Sequence, residues 1–171
     1  SSDRAGRGTW QMNSKNKLAV LYDFNRKYEP RQGTGTLATE QATYIQIFNN
    51  QHTQVTWSAP VTNRLLFDAG FGYNHIDHTT DAQSSATWPA TTESTTGLSF
   101  RGIPYLLPSL PQVMRDEWQL SHALRGAVSY VTGSHALKVG ASQYAGKVDV
   151  NFFSGADYDV TLFNGVPTRV T

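Results

Sequence analysis

The sequence has 171 residues, a formal net charge of +1, and hydrophobic and aromatic shares of 39% and 12%. That length suffices for one domain with a core, and so small a charge gives no global field to attract nucleic acid or an acidic partner. The absence of cysteine excludes disulfides and thiol chemistry. The longest apolar run, residues 18–22, is far shorter than the roughly 18 residues of a membrane-spanning helix.

The first predicted element is a β-hairpin near residues 9–28. Trp10 and Met12 alternate with polar neighbours, residues 13–17 are polar, and apolar residues then recur at every second position from Leu18. Because successive side chains of a strand point to opposite faces of a sheet, this alternation predicts two strands joined by a short turn. Residues 29–43 include Pro30 and show no periodicity, which predicts a long loop.

A second hairpin is predicted near residues 44–77, with a tight turn at residues 59–63 that contains Pro60. Residues 63–77 show the clearest alternation of the sequence. This stretch predicts a strand with one apolar face and one small or polar face. The apolar face consists of Leu65, Phe67, Ala69, Phe71 and Tyr73, and the other of Leu66, Asp68, Gly70, Gly72 and Asn74.

A second long loop is predicted at residues 78–116, which are rich in Thr, Ser, Ala and Gly and contain Pro89, Pro104, Pro108 and Pro111. A structureless connection of this length is uncommon in a compact soluble domain. A third hairpin follows near residues 117–150, with its turn at residues 132–134. The last, near residues 157–171, is predicted around Asn164-Gly165, because this dipeptide favours tight hairpin turns.

Short turns and long loops therefore alternate along the chain, which is typical of transmembrane β-barrels. Trp57 and Tyr130 lie close to short turns, and Tyr73 and Trp118 lie near long loops, as expected for the aromatic girdles of such barrels. The predicted fold class is all-β: an antiparallel up-and-down meander that forms a transmembrane β-barrel segment with long extracellular loops. The alternative is a soluble secreted β-sandwich that binds carbohydrate or protein through its long loops.

Four segments carry a family resemblance: TWQMNSKNKLAVLYDFNRKY, QVTWSAPVTNRLLFDAGFGYNH, SYVTGSHALKVGASQYAG and the ending FNGVPTRVT. Together they resemble the barrel of a TonB-dependent outer-membrane receptor, and in particular the large receptors that carry a carboxypeptidase-regulatory-like domain. The resemblance covers most of the chain except the loop at residues 78–116.

The resemblance implies a receptor in the cell outer membrane that binds and imports a scarce solute, without catalysis and without a cofactor. Such receptors have a plug domain inside a barrel of about 22 strands. The sequence shows neither a recognisable plug nor a TonB box, and about six long strands cannot close such a barrel. Residues 1–171 are therefore expected to be a partial barrel. The expected partners are outer-membrane lipid, the remaining strands and plug of a parent chain, the TonB complex through other parts of that parent chain, and an unidentified solute, but no nucleic acid.

The candidate metal ligands are His75, Asp77 and His78, with His52 on a neighbouring strand, since His and Asp are ligands for zinc and other divalent ions. Along a strand His75 and Asp77 point to one face and His78 to the other, so only a bent loop would bring all three together. A solvated loop base is the simpler interpretation, and no metal site is predicted.

Enzyme chemistry has weaker signals. Gly140-Ala141-Ser142 begins like a nucleophile elbow but lacks the final glycine, and Asp116 and Glu117 read as a solvated loop end rather than a glycosidase pair. No catalytic residue is predicted. Four aromatic residues of the predicted loops are candidates for stacking on a sugar or for clamping the loops together: Tyr44, Phe48, Phe100 and Tyr105.

Overall fold

The computed structural model describes residues 1–32, 37–104 and 114–171. These described residues form ten strands and one short 3₁₀ helix, which is Glu40–Ala42. Within these ranges, no helix has both the length and the apolar character needed to cross a membrane. The strands are β1 (Ser2–Asn13), β2 (Asn16–Gln32), β3 (Tyr44–Thr62), β4 (Leu65–Ala82), β5 (Thr91–Glu93), β6 (Leu98–Phe100), β7 (Arg115–Thr132), β8 (His135–Phe152), β9 (Val160–Phe163) and β10 (Val166–Val170).

Six long strands form one sheet in the order β1-β2-β3-β4-β7-β8. Each neighbour in the sheet is also the next long strand in the chain, so the sheet is the predicted antiparallel meander. In the β1–β2 pair, Gly8 lies opposite Val20 and Trp10 lies opposite Leu18. Among the described strands β1 and β8 form the two edges, and the sheet is open rather than closed into a barrel.

The long strands extend further than the alternation predicted. β2 continues to Gln32 and β3 to Thr62, so the two-residue connection after β3 is Asn63-Arg64. The predicted turn at residues 59–63 was therefore misplaced, since Pro60 lies inside β3. A proline fits a strand where its nitrogen makes no ladder hydrogen bond, so Pro60 alone did not mark the turn.

The chain divides into two compact units. Unit 1 consists of Ser1–Arg26, Asn49–Ile76 and Trp118–Val148, which are the strand segments that adjoin the three two-residue turns. Unit 2 consists of Lys27–Phe48, Asp77–Glu117 and Asp149–Thr171. It contains the other strand ends, the 3₁₀ helix and the second sheet.

The second sheet has the order β10-β9-β5-β6. β5 pairs antiparallel with β6 and parallel with β9, with Thr91 opposite Val160. β9 and β10 form the predicted hairpin, in which Asn164 and Gly165 have φ angles of 53° and 77°. Two consecutive left-handed residues are the geometry that Asn-Gly favours in a tight hairpin turn.

The prediction of one structureless loop at residues 78–116 was wrong. β4 continues to Ala82, β5 and β6 lie within the segment, and β7 already begins at Arg115. Within unit 2, Tyr44, Ile103 and Met114 form a small buried cluster against which Trp88 and Ala82 pack. This unit therefore has a core of its own, made partly by residues that were predicted to be loop.

Candidate functional site

One face of the long sheet in unit 1 is rich in large apolar side chains that the protein leaves exposed. Trp10 is 64% exposed, Leu137 64% and Val139 63%. A contiguous exposed apolar surface marks contact with another apolar phase or with a partner. We call this side the apolar face, and its members recur at every second position: Trp10, Val20, Tyr22, Phe71, Leu124, Val128, Leu137 and Val139.

Trp118 lies on the apolar face near the end of β7 that is remote from the tight turn. The centroid of the Trp118 ring lies 5.8 Å from that of His75 in an edge-to-face arrangement. The Lys147 ammonium lies 5.5 Å from the same Trp118 centroid. Near the opposite ends of the strands, Trp57 Nε1 donates a hydrogen bond of 3.1 Å to Asn16 Oδ1. Amphipathic aromatic and cationic side chains at two levels of a strand are typical of the two interfaces of a bilayer.

The other side of the sheet in unit 1 is lined by small, polar and charged side chains, and we call it the polar face. Its central cleft has a volume of about 340 Å³. Arg125 and Lys138 reach this cleft from β7 and β8, and Asp68 reaches it from β4. Thr56 and Ser58 of β3 line it too, so polar groups from four strands converge there.

A second cleft on the polar face has a volume of about 400 Å³ and is lined in part by Gly70 and Gly72. Because glycine has no side chain, the neighbouring Arg125 side chain can approach the backbone at Gly70. A Cβ atom on Gly70 would lie 2.6 Å from Arg125 Nε, because the Arg125 side chain lies directly against the Gly70 backbone. The cleft is also lined by the polar residues His52, Gln54, Arg125 and Ser142 and by Tyr144.

The polar face continues toward β1, where a cleft of about 260 Å³ is lined by Arg7, Thr9 and Lys17. This cleft shares Thr56 and Ser58 with the central one, so the two are adjacent across β3. A row of polar groups therefore runs from β1 to β8 on one side of the sheet.

A long antiparallel sheet with an exposed apolar face and a polar, cleft-bearing face is typical of the wall of a membrane barrel, whose two sides contact lipid and an aqueous lumen. The family model described as outer membrane beta barrel domain matches residues 2–170. The chain belongs to this family. The protein accordingly resides in the outer membrane, and the alternative of a soluble β-sandwich is overturned. Neither a curated protein nor a solved structure matches the sequence.

Unit 2 contains a separate, nearly buried polar cluster around His78. Arg115 Nη2 lies 2.8 Å from His78 Nδ1, and Glu117 Oε2 lies 3.3 Å from the same Arg115 nitrogen. Gln46 Nε2 lies 2.6 Å from His78 Nε2. Since arginine only donates, a neutral His78 accepts at Nδ1 and carries its proton on Nε2. Exchanging the nitrogen and oxygen of the Gln46 amide, which are assigned from the hydrogen-bond network, gives this proton an acceptor.

The His78 cluster is fully engaged in contacts with its own chain. The Phe48 ring lies edge-on to His78 at 5.6 Å, and the Glu117 side chain is 13% exposed. This arrangement joins β3, β4 and β7 within unit 2. We interpret it as a structural cluster rather than as a ligand site.

The structure does not bring the candidate metal ligands together. Among the described residues, no group of three His, Cys, Asp or Glu side chains is placed to hold a metal ion. His75 packs on Trp118, His78 binds Arg115, and His52 lines the polar face. The interpretation of residues 75–78 as a solvated loop base was wrong, because all four lie within β4 and His78 is buried.

Other sequence candidates also lie in regular structure. Asp116 and Glu117 belong to β7 rather than to a loop end, and Ser142 lies inside β8, without the strand-to-helix turn of a nucleophile elbow. Tyr44 and Phe48 lie on β3 and Phe100 on β6, so three of the aromatic residues assigned to loops lie on strands. The fourth, Tyr105, lies outside the described residues.

Sequence reasoning missed the row of clefts and the His78 cluster. The sequence does contain a signal for the row of clefts, because its lining residues fall on the polar positions of the predicted strands. These residues are Thr56, Ser58, Asp68, Arg125 and Lys138. What the sequence lacked was the register between strands, which decides which of these residues lie side by side.

Proposed function

We propose that this chain forms part of the barrel wall of an outer-membrane receptor that binds a solute and takes it up, without catalysing a reaction. The observation that carries the proposal is the polar face, where clefts of about 340 and 400 Å³ lie on the side of the sheet opposite the apolar surface. Pockets of this size suit small molecules.

The open sheet supports the proposal of a partial barrel. An open sheet edge is not tolerated in hydrocarbon, since its unpaired N–H and C=O groups find no water there. We propose that further strands of a parent chain pair with β1 and β8, that lipid covers the apolar face, and that a plug domain occupies the lumen. In this arrangement a TonB-type complex supplies the energy for uptake, as the resemblance to TonB-dependent receptors implies.

The test is solute depletion by intact cells. Cells with and without the intact protein are incubated with a defined mixture of siderophores, cobalamin and oligosaccharides, and the medium is followed by mass spectrometry. We expect at least one solute to disappear only when the protein is present, and this loss should stop when a protonophore removes the energy source. Equal depletion in both strains, with the protein confirmed at the cell surface, would contradict the proposal.

A further inference from the structure

The row of clefts on the polar face of unit 1 carries an excess of positive charge. Arg125 and Lys138 line the central cleft, and Arg7 and Lys17 line the adjacent one. Among the described residues that line these two clefts, Asp68 is the one carboxylate. A cleft lined predominantly by one sign of charge concentrates its field and attracts ions of the opposite sign.

These four cations have no acidic partner within the described residues. Within residues 1–32, 37–104 and 114–171, no carboxylate oxygen lies within 4.0 Å of the charged nitrogens of Arg7, Lys17, Arg125 and Lys138. In unit 2, by contrast, Lys27 lies 2.8 Å from Glu29 and Arg31 lies 2.9 Å from Glu40. The positive charge of the polar face is therefore not neutralised by salt bridges in this part of the chain.

Hydroxyl groups lie between the two pairs of cations. Thr56 and Ser58 line both clefts, and Thr9 lines the cleft beside β1. Hydroxyls donate hydrogen bonds to oxyanions, and arginine and lysine donate charge-assisted ones. The arrangement offers several donors to anionic oxygen at two places separated by β3 and β4.

We propose that the polar face binds a solute that carries more than one oxyanionic group, either carboxylate or phosphate. One group is held by Arg125 and Lys138 and another by Arg7 and Lys17, while Asp68 accepts a hydrogen bond from a hydroxyl or amine of the same solute. The central volume of about 340 Å³ favours a small molecule over a polypeptide segment. This inference rests on the proposed uptake function and specifies its substrate class.

The chain offers a matched control on the opposite face. On β1, Arg7 points to the polar face and Arg4, three positions earlier, to the opposite face. On β8, Lys138 points to the polar face and Lys147, nine positions later, to the opposite face. The test variant is Arg7→Gln with Lys138→Gln, and the control is Arg4→Gln with Lys147→Gln. Both variants lose the same charge from the same two strands.

The experiment is calorimetric titration of the intact protein, purified from outer membranes in neutral detergent, with citrate and separately with pyrophosphate. We expect saturable binding of at least one anion, which weakens as salt is added because salt screens the charges. The polar-face variant should bind at least about tenfold more weakly, since charge-assisted hydrogen bonds are lost. The control should stay within about threefold of the unchanged protein, because its cations lie on the other face.

Three results would overturn the proposal: no binding of either anion, undiminished binding by the polar-face variant, or equal loss in the two variants. An acidic segment of the protein that already fills the clefts would give the first result. The proposed substrate class and the proposed uptake function are contradicted by different results. Anion binding without energised depletion of any solute would contradict the uptake function alone, whereas uptake without anion binding would contradict only the substrate class.

Discussion

The Glu93 side chain binds the backbone of a turn that lies 71 residues further along the chain. Its Oε1 accepts a hydrogen bond from Asn164 N at 3.1 Å, and its Oε2 accepts one from Gly165 N at 3.0 Å. The Thr95 hydroxyl also donates to Oε1, at 2.7 Å. One carboxylate thereby joins β5 to the β9–β10 turn.

Because of these hydrogen bonds, the stability of the β9–β10 turn should depend on pH. The Thr95 hydroxyl, followed by the Gly165 N–H, lowers the pKa of Glu93 below its ordinary value of 4.5. A lowered folded-state pKa means that the stabilisation is complete above the ordinary pKa and is lost as pH falls through the folded one. We expect amide exchange at Asn164 and Gly165, corrected for intrinsic rates, to be slower at pH 7 than at about pH 3.

Hydrogen-exchange mass spectrometry of the intact protein measures this difference. Glu93→Gln should remove it, because an amide oxygen does not gain charge as pH rises. Glu40→Gln is the control, since Glu40 binds Arg31 in unit 2. A pH dependence that survives in Glu93→Gln would show that another group is responsible.

Two glycines on neighbouring strands differ in the space around them. A Cβ atom on Gly140 would lie 2.7 Å from Gly126 O, whereas one on Gly126 would meet nothing within 4 Å. We expect Gly140→Ala to destabilise the sheet by about 1–3 kcal/mol, because backbone must move to admit the methyl group. Gly126→Ala should be neutral. Loss of the folded band on heating in detergent, followed by gel mobility, measures both, and equal stability of the two variants would contradict the expectation.

At the scale of the strand, alternation made most of the long sheet predictable. A strand between two different solvents needs one type of side chain on each face, so the alternation in residues 63–77 predicts a strand without knowledge of its neighbours.

The pairing of strands in the second sheet could not be predicted from the sequence. β5 and β6 have three residues each, too few to show a period, and β5 pairs in parallel with the distant β9. The second sheet therefore had no local signal apart from Asn164-Gly165.

Adjacent positions of β4 should respond in opposite ways to the same charge. Phe67 belongs to the apolar positions of β4, and Asp68 lines the central cleft of the polar face. Phe67→Lys places an ammonium against lipid, at a cost of about 2–4 kcal/mol if it lies near the bilayer midplane. Asp68→Lys places the same group toward the lumen and should be tolerated.

The amount of folded protein in outer-membrane fractions, judged by heat-dependent gel mobility, measures the effect of both substitutions. We expect a large decrease for Phe67→Lys and little change for Asp68→Lys. Similar decreases for the two would mean that the faces are not in contact with different solvents.

For the whole molecule, the alternation of turns and loops sets the orientation in the membrane. Short turns of such barrels face the periplasm, and long connections face outward. Ser14 lies in the turn between β1 and β2, and Ser85 lies in the long connection after β4, and both are exposed. These 171 residues contain no cysteine, so labelling that exceeds that of the unchanged protein reports the location of the introduced thiol.

We expect a membrane-impermeant maleimide to label Ser85→Cys on intact cells, and to label Ser14→Cys only after the outer membrane is opened. Labelling of Ser14→Cys alone on intact cells would reverse the orientation. Each variant needs a check that its protein level in the outer membrane equals that of the unchanged protein.

The strand order β1-β2-β3-β4-β7-β8 also has a kinetic consequence. Three of its five pairings close two-residue turns, so these hairpins can form rapidly and independently of one another. The β4–β7 pairing must instead close the connection of residues 83–114, which is slower. Among the described strands β1 and β8 have a neighbour on one side only. The backbone groups of such edges can pair with other chains, so these edges are where aggregation competes with folding.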